Sequence, residues 1–240
     1  MRINKFFSNM GYCSRKETNR LIEEKRVTVN GKLCIPGQWV EETDVILVDN
    51  KPLESKNKVY ILLNKPVGIV CTSAKEIESN IVSYMGYPEY IFPVGRLDKE
   101  SQGLILMTND GELANKILNS DNEHEKEYIV TLDKSFDDSF VEGMSGGVEI
   151  LNIKTRPCKV TRVSDNTFRI ILTQGLNRQI RRMSKAFGYN VKILERVRIM
   201  NLKIDGIEIG KWRYLTKIEE NELKKELSLW ESSLKRIVLF

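Results

Sequence analysis

The chain has 240 residues, enough for one large domain and one small one, each with a core able to sustain its own fold. Its one histidine, His124, argues against a Ser-His triad and His-rich metal centres, and its four scattered cysteines offer neither a paired metal motif nor a disulfide framework. The net charge is only +5, yet residues 1–35 carry eight Lys/Arg against three acids and residues 154–213 fifteen against four, so a polyanion gripped at two places is expected.

The chain opens without the apolar stretch of a secretory signal, and no later apolar run reaches the length of a membrane span. A soluble cytoplasmic protein is therefore expected. Ile3, Phe6, Phe7 and Met10 fall on one helical face that Gly11 ends. Ser14 and Glu17 form a capping box for a second helix, Arg15 to about Glu24, with Leu21 and Ile22 facing inward. Arg15, Lys16 and Arg20 are left for its outer face, with Arg2 and Lys5 near it. Val27–Val29, the turn Asn30-Gly31 and Lys32–Cys34 read as a hairpin, and Val45–Val48 adds a strand. The polar stretch Lys51–Lys58 reads as a linker, which divides the chain into residues 1–57 and 58–240.

Tyr60–Leu63 reads as a buried strand broken by Asn64-Lys65-Pro66-Val67-Gly68. Residues 79–93 look irregular, with Tyr84, Tyr87, Tyr90 and Phe92 available for core packing or base stacking. A Gly95-Arg96-Leu97-Asp98 turn then runs through Ser101-Gln102-Gly103 into the apolar strand Leu104–Met107. Asn109 or Asp110 can cap the helix that follows, which carries Leu113, Ile117 and Leu118, with Glu112 placed for a capping box. Asp98 thus sits at the mouth of a rigid strand–loop–helix unit, where a carboxylate can be held for chemistry.

Lys126-Glu127-Tyr128 begins a strand in which Tyr128, Val130 and Leu132 share the inward face. Phe136–Met144 suggests a helix and residues 148–163 further strands. Phe168–Thr173 reads as a strand ending at Gly175, after which Asn177 can cap a helix to Phe187. Its buried stripe is Ile180, Met183 and Phe187, while Arg178, Arg181, Arg182 and Lys185 take other faces. From Glu219 a helix and a polar tail are expected.

Three of these strings, in this order, resemble the pseudouridine synthases that carry an S4 domain and modify ribosomal RNA: Asn64-Lys65-Pro66-Val67-Gly68, Gly95-Arg96-Leu97-Asp98, and Gln179-Ile180-Arg181. Ser14-Arg15-Lys16-Glu17 and Val27-Thr28-Val29-Asn30-Gly31 add a resemblance to the S4 RNA-binding domain. Residues 34–40 and the Asn177-Arg178-Gln179 variant look like the subgroup acting on large-subunit (23S) RNA. The resemblance implies an α+β fold: a small S4-like RNA-binding domain, then a synthase domain with a mixed, largely antiparallel sheet.

It further implies that Asp98 is catalytic, that Arg181 pairs with it, that Tyr128 lines the active site against a flipped uridine, and that Arg96 fills the vacated space or holds the backbone. Arg2, Lys5, Arg15, Lys16, Arg20, Arg178 and Arg182 are the expected RNA contacts. Arg178 stands where many relatives have His, so a phosphate contact replaces any His-like role. Isomerising uridine consumes nothing, so neither cofactor nor metal is expected. The expected partner is structured RNA, ribosomal or transfer, without a membrane and with the protein acting as a monomer.

Other classes fit less well. Met183-Ser184-Lys185 is a fragment of an aminoacyl-tRNA synthetase signature without its His-rich counterpart, and no Gly-rich loop after a strand suggests a methyltransferase. A non-catalytic RNA-binding or ribosome-assembly protein is the alternative that the basic zones alone would satisfy.

Overall fold

In the computed structural model, which describes residues 1–74, 76–119 and 123–237, the first elements are α1 (Ile3–Asn9) and α2 (Arg15–Glu23). They pack on a four-stranded sheet of β1 (Val27–Val29), β2 (Lys32–Leu33), β3 (Ile46–Val48) and β4 (Lys51–Pro52), ordered β2-β1-β3-β4. The helical stripe and the alternating strands explain the packing, because Ile3, Phe7, Leu21 and Ile22 meet Val27, Val29, Ile46 and Val48 in one cluster. Ser14 caps α2 by accepting from the Glu17 amide at 3.0 Å, while the Glu17 carboxylate engages Arg20, so half of the capping box forms. Asn30 and Gly31 both take positive φ, 51° and 78°, as a tight hairpin requires. The expected linker begins instead as a strand: Pro52 of β4 sits on the sheet edge, where its missing N–H leaves no gap in the ladder.

The rest of the chain builds a nine-stranded sheet. In order come β5 (Tyr60–Lys65), α3 (Ile81–Met85), β6 (Phe92–Pro93), β7 (Gln102–Thr108), α4 (Gly111–Leu118), β8 (Lys126–Leu132) and α5 (Asp138–Ser145). After the small hairpin β9 (Glu149–Ile150) and β10 (Ile153–Lys154) follow β11 (Lys159–Arg162), β12 (Thr167–Leu172), α6 (Gln179–Ala186), β13 (Val191–Ile199), β14 (Leu202–Lys203), β15 (Trp212–Tyr214) and α7 (Lys217–Ile237). The sheet runs β11-β12-β8-β13-β7-β5-β15, with β14 on β13 and β6 on β7. Among the described strands only β13 and β7 pair in parallel; the mixed, largely antiparallel sheet is the one the resemblance implied.

The central strand shows why its sequence is continuously apolar. Leu104 and Leu106 of β7 face Leu113, Ala114 and Ile117 of α4 and Leu223 and Leu227 of α7, whereas Ile105 and Met107 face Ile81 and Ile91. A strand covered on both faces has no solvent side to mark with polar residues. Asp110 caps α4, its Oδ1 accepting from the Glu112 and Leu113 amides at 3.2 Å each. Asn109 is instead buried, accepting from the Val59 amide at 2.9 Å and donating to the Asn57 carbonyl at 2.8 Å.

The stretch 79–93, expected to be irregular, contains the short helix α3. Asn80 caps it through the Ser83 amide at 2.8 Å, and Gly86 closes it in the left-handed region. At the start of β7, Gly103 has φ +107°, and a Cβ there would lie 2.3 Å from the Arg196 carbonyl oxygen. Backbone cannot retreat as a flexible side chain does, so Gly103→Ala should destabilise the fold by about 3 kcal/mol. Urea unfolding of the variant measures this directly.

Candidate active site

The loop that ends in β7 carries Asp98, and its shape comes from its neighbours. Ser101, nearly fully buried, donates its amide to the Asp98 carbonyl at 3.0 Å, and Gly68 donates to the Lys99 carbonyl at 2.8 Å. The Asn-Lys-Pro-Val-Gly turn therefore buttresses the Asp98 loop rather than merely ending a strand. Its Lys65 is fully buried, with Nζ donating to the carbonyls of Pro66 and Ile69 at 2.8 and 2.9 Å. Burial pushes the Lys65 ammonium below its ordinary pKa, and the nearby Asp98 carboxylate is among the groups that partly oppose this.

Across the cleft, α6 delivers the arginines. Arg178, not Asn177, is its N-cap residue, in the left-handed region at φ 52° and without a side-chain capping bond. Asn177 instead accepts from Arg182, through its carbonyl at 3.0 Å and its side chain at 3.3 Å. Ile180 and Met183 are buried as the stripe requires, but Phe187 is 39% exposed and rests edge-on against Phe140, while Ser184 takes the buried place.

Arg181 is the arginine turned inward. Its Nη1 donates to the Val191 carbonyl at 3.1 Å, and its Nη2 donates to the Glu100 carbonyl and the Ser101 hydroxyl, each at 3.2 Å. Its buried Nε has no hydrogen-bond partner among the described residues and stands 3.8 Å from Asp98 Oδ2. Burial, then the nearby Arg178, push the Arg181 pKa down against Asp98 and Glu100, yet a guanidinium remains charged. Arg178 Nη1 lies 2.9 Å from Glu100 Oε2 and 3.6 Å from Asp98 Oδ2. Arg178, expected on phosphate, lies here against the carboxylates of the Asp98 loop through solvent-accessible contacts, and its bond to Glu100 holds that carboxyl below its usual range.

Asp98, Arg96, Tyr128 and Arg178 line one cavity of about 270 Å³, floored by β8, β12 and β13. Tyr128 rises from β8, opposite Ile170 of β12 and Arg196 of β13. Arg182 and Lys185 are exposed on the solvent side of α6. Arg15, Lys16, Arg2 and Lys5 are exposed on the first two helices and the residue before them, and Arg20 is ion-paired with Glu17 and Glu24 at 2.5 and 3.7 Å. Motif reading passed over Lys65, Ser101, Lys126 and Arg196, of which the last three line the cavity. Lys65 stood inside a quoted string, and Lys126 directly precedes Glu127-Tyr128, so position beside a motif was the available signal.

The arrangement suits cleavage and rejoining at a flipped nucleotide: one partly exposed carboxylate beside a fixed guanidinium, above a half-apolar floor. Among the described residues no group of His, Cys, Asp and Glu has metal-binding geometry, and no helix is long and apolar enough to cross a membrane.

Comparison with known proteins agrees. Residues 59–186 match the RNA pseudouridylate synthase family, and residues 1–46 match the S4 domain. The dual-specificity RNA pseudouridine synthase RluF of Escherichia coli (strain K12) is 49% identical over 238 residues, 98% of this chain and 82% of that protein. The ribosomal large subunit pseudouridine synthase B of Bacillus subtilis (strain 168) is 32% identical, covering 93% of this chain and 95% of that protein. A crystal structure of a pseudouridylate synthase superposes with a TM-score of 0.68 at 26% identity, covering 94% of this chain and 99% of that one. With both matches in order along one chain, the protein belongs to the RNA pseudouridylate synthase family, in the form that carries an N-terminal S4 domain.

Proposed function

We propose that Asp98 is the catalytic carboxylate of a uridine-to-pseudouridine isomerisation in large-subunit (23S) ribosomal RNA, with transfer RNA as a second substrate class. The observation that carries it is the 3.8 Å approach of Arg181 Nε to Asp98 Oδ2, beside the cavity that Asp98, Tyr128 and Arg96 line. Relatives named for dual specificity and for the large ribosomal subunit support the choice of RNA.

A base inside folded RNA is out of reach, so the nucleotide flips into the cavity at a cost of a few kcal/mol. Asp98 then acts at the sugar and base, the Arg181 guanidinium 3.8 Å away orients the carboxylate, and Tyr128 packs against the ring. Arg96, exposed at the rim, meets the space or the backbone that the flipped nucleotide leaves. Residues 58–240 carry this chemistry and residues 1–57 grip phosphates, in a protein that acts as a monomer.

The test incubates unmodified 23S and transfer RNA with the protein and no cofactor, then maps carbodiimide-reactive pseudouridine by reverse transcription. New stops at a few uridines are expected. Tight binding without any stop would favour the non-catalytic RNA-binding alternative.

The first module gives a separate prediction. Arg15 and Lys16 are exposed on α2, and the ion pairs of Lys16 with Glu76 and of Arg20 with Glu17 and Glu24 are solvent-accessible. Such pairs hold weakly and exchange readily for phosphate. Replacing Arg15, Lys16 and Arg20 together with Gln should lower the salt slope of RNA binding by roughly 2 to 3. Single-turnover rates at saturating protein should barely change. An unchanged slope would place the RNA grip elsewhere.

A further inference from the structure

The cavity holds a cation that this reading leaves unused. Lys126 opens β8 two residues before Tyr128, so the pleat turns both side chains to one face, and both line the cavity. Strand pairing sets its neighbours: Lys126 lies opposite Leu172 of β12 and Ile199 of β13, and the next row is Ile170, Tyr128 and Arg196. The end of α4 adds Ile117, Leu118 and Asn119, none of them charged. The Lys126 stem therefore runs through apolar side chains, and its Nζ donates to the His124 carbonyl at 3.0 Å. Among the described residues no carboxylate pairs with it.

The neighbouring charge has the same sign. Arg196 is 3% exposed; its Nε donates to the Leu104 carbonyl at 2.7 Å, and its Nη2 has no hydrogen-bond partner among the described residues. Burial, then Arg196, lower the Lys126 pKa to about 8. His124, the other titratable group beside it, is itself pushed down by burial and then by Lys126. Two half-satisfied cations side by side cost stability in the free protein. A negative charge arriving in the cavity reverses that balance.

Resting on the reading that the cavity receives a flipped uridine, we infer that Lys126 is the group that meets the negative charge developing on uracil when its bond to ribose breaks. When N1–C1′ breaks, the bonding pair stays with the base, whose charge spreads over N1, O2 and O4, and the electron-poor carbon is left to Asp98. The Lys126 ammonium donates a hydrogen bond to a uracil oxygen and holds the anion while it turns, and Arg196 strengthens the field from behind. A ring electron pair then forms C5–C1′ as the Asp98 carboxylate leaves C1′, C5 loses its proton and N1 gains one. Nothing is oxidised or consumed. Such a donor, fixed before charge appears, acts on the transition state more than on binding.

Single-turnover pseudouridine formation is measured for wild type, Lys126→Gln and Lys126→Arg, beside RNA affinity and thermal stability. Lys126→Gln should slow the reaction about 10²-fold, with affinity within about three-fold. Lys126→Arg should recover at least roughly ten-fold of that loss, because charge survives. Wild-type kcat/KM, which reports the free enzyme, should fall as pH rises through about 8 and deprotonates Lys126. In Lys126→Arg that fall should be absent up to about pH 9, since arginine does not deprotonate there. Equal losses in both variants, or a wild-type pH profile in Lys126→Arg, would overturn the inference and leave Lys126 structural. If wild type forms no pseudouridine, or Asp98→Asn forms as much, the underlying reading fails and this inference falls with it, whatever the Lys126 variants do.

Discussion

In the Asp98→Asn protein, pseudouridine formation is expected to fall by at least about 10⁴-fold, the scale on which enzymes lose an essential reacting group. RNA affinity should stay within about three-fold, because the substitution keeps the shape of the side chain and removes only its charge. The surrounding geometry supports that separation. The Asp98 loop is held by the Ser101 and Gly68 amides, and neither bond uses the Asp98 carboxylate. Arg181 is anchored through Val191, Glu100 and Ser101, so it also keeps its place when Asp98 changes. Quantifying pseudouridine and RNA binding in one purified variant checks both halves. Substantial isomerisation by Asp98→Asn would remove Asp98 from the reaction.

The second large effect separates two adjacent arginines. Arg181→Met should reduce the single-turnover rate about 10²-fold, because it deletes a guanidinium whose buried Nε, without a hydrogen-bond partner among the described residues, faces Asp98 at 3.8 Å. Arg182→Met should cost less than about three-fold, since Arg182 is exposed and its side chain bonds back to Asn177. Arg181→Lys should fall between: charge is kept, but one ammonium cannot hold Val191, Glu100 and Ser101 together while facing Asp98. Part of the Arg181→Met loss will be structural, because three bonds disappear with the guanidinium. Thermal unfolding of each variant separates that part. Equal losses in the two Met variants would indicate general RNA electrostatics.

Much of the frame was legible before any coordinates. The apolar runs Tyr60–Leu63 and Leu104–Met107 became paired central strands of the sheet, and Asn30-Gly31 became a tight hairpin turn, because pleat and turn geometry act within a few residues. The strings around Asp98, Tyr128 and Gln179 line one cavity, with Arg181 beside Asp98, although they lie far apart in the chain.

The misses are cases where a local signal competed with a tertiary one. Asn177 and Arg178 both precede α6, and it is Arg178, left-handed and without a side-chain capping bond, that takes the cap position, while Asn177 accepts from Arg182 instead. Helix α3 is five residues long, too short for periodicity to reveal, and only its caps, Asn80 and Gly86, mark it. The polar stretch from Lys51 reads as a linker because a two-residue strand on a sheet edge leaves no apolar pattern in the sequence. Lys126 and Arg196 read as two ordinary basic residues. Antiparallel pairing of β8 with β13 makes them neighbours, and that register depends on contacts some seventy residues apart.

The most direct test of the account follows hydrogen rather than sequence. Transcribed RNA carrying tritium at C5 of uridine is mixed with excess wild-type protein and no added cofactor, and tritium release to water is timed beside the Asp98→Asn control. Formation of C5–C1′ must expel the C5 proton, so the account predicts release matching one uridine per modified site in wild type and none in Asp98→Asn. Saturated binding by wild type with no tritium release on either ribosomal or transfer RNA would contradict it.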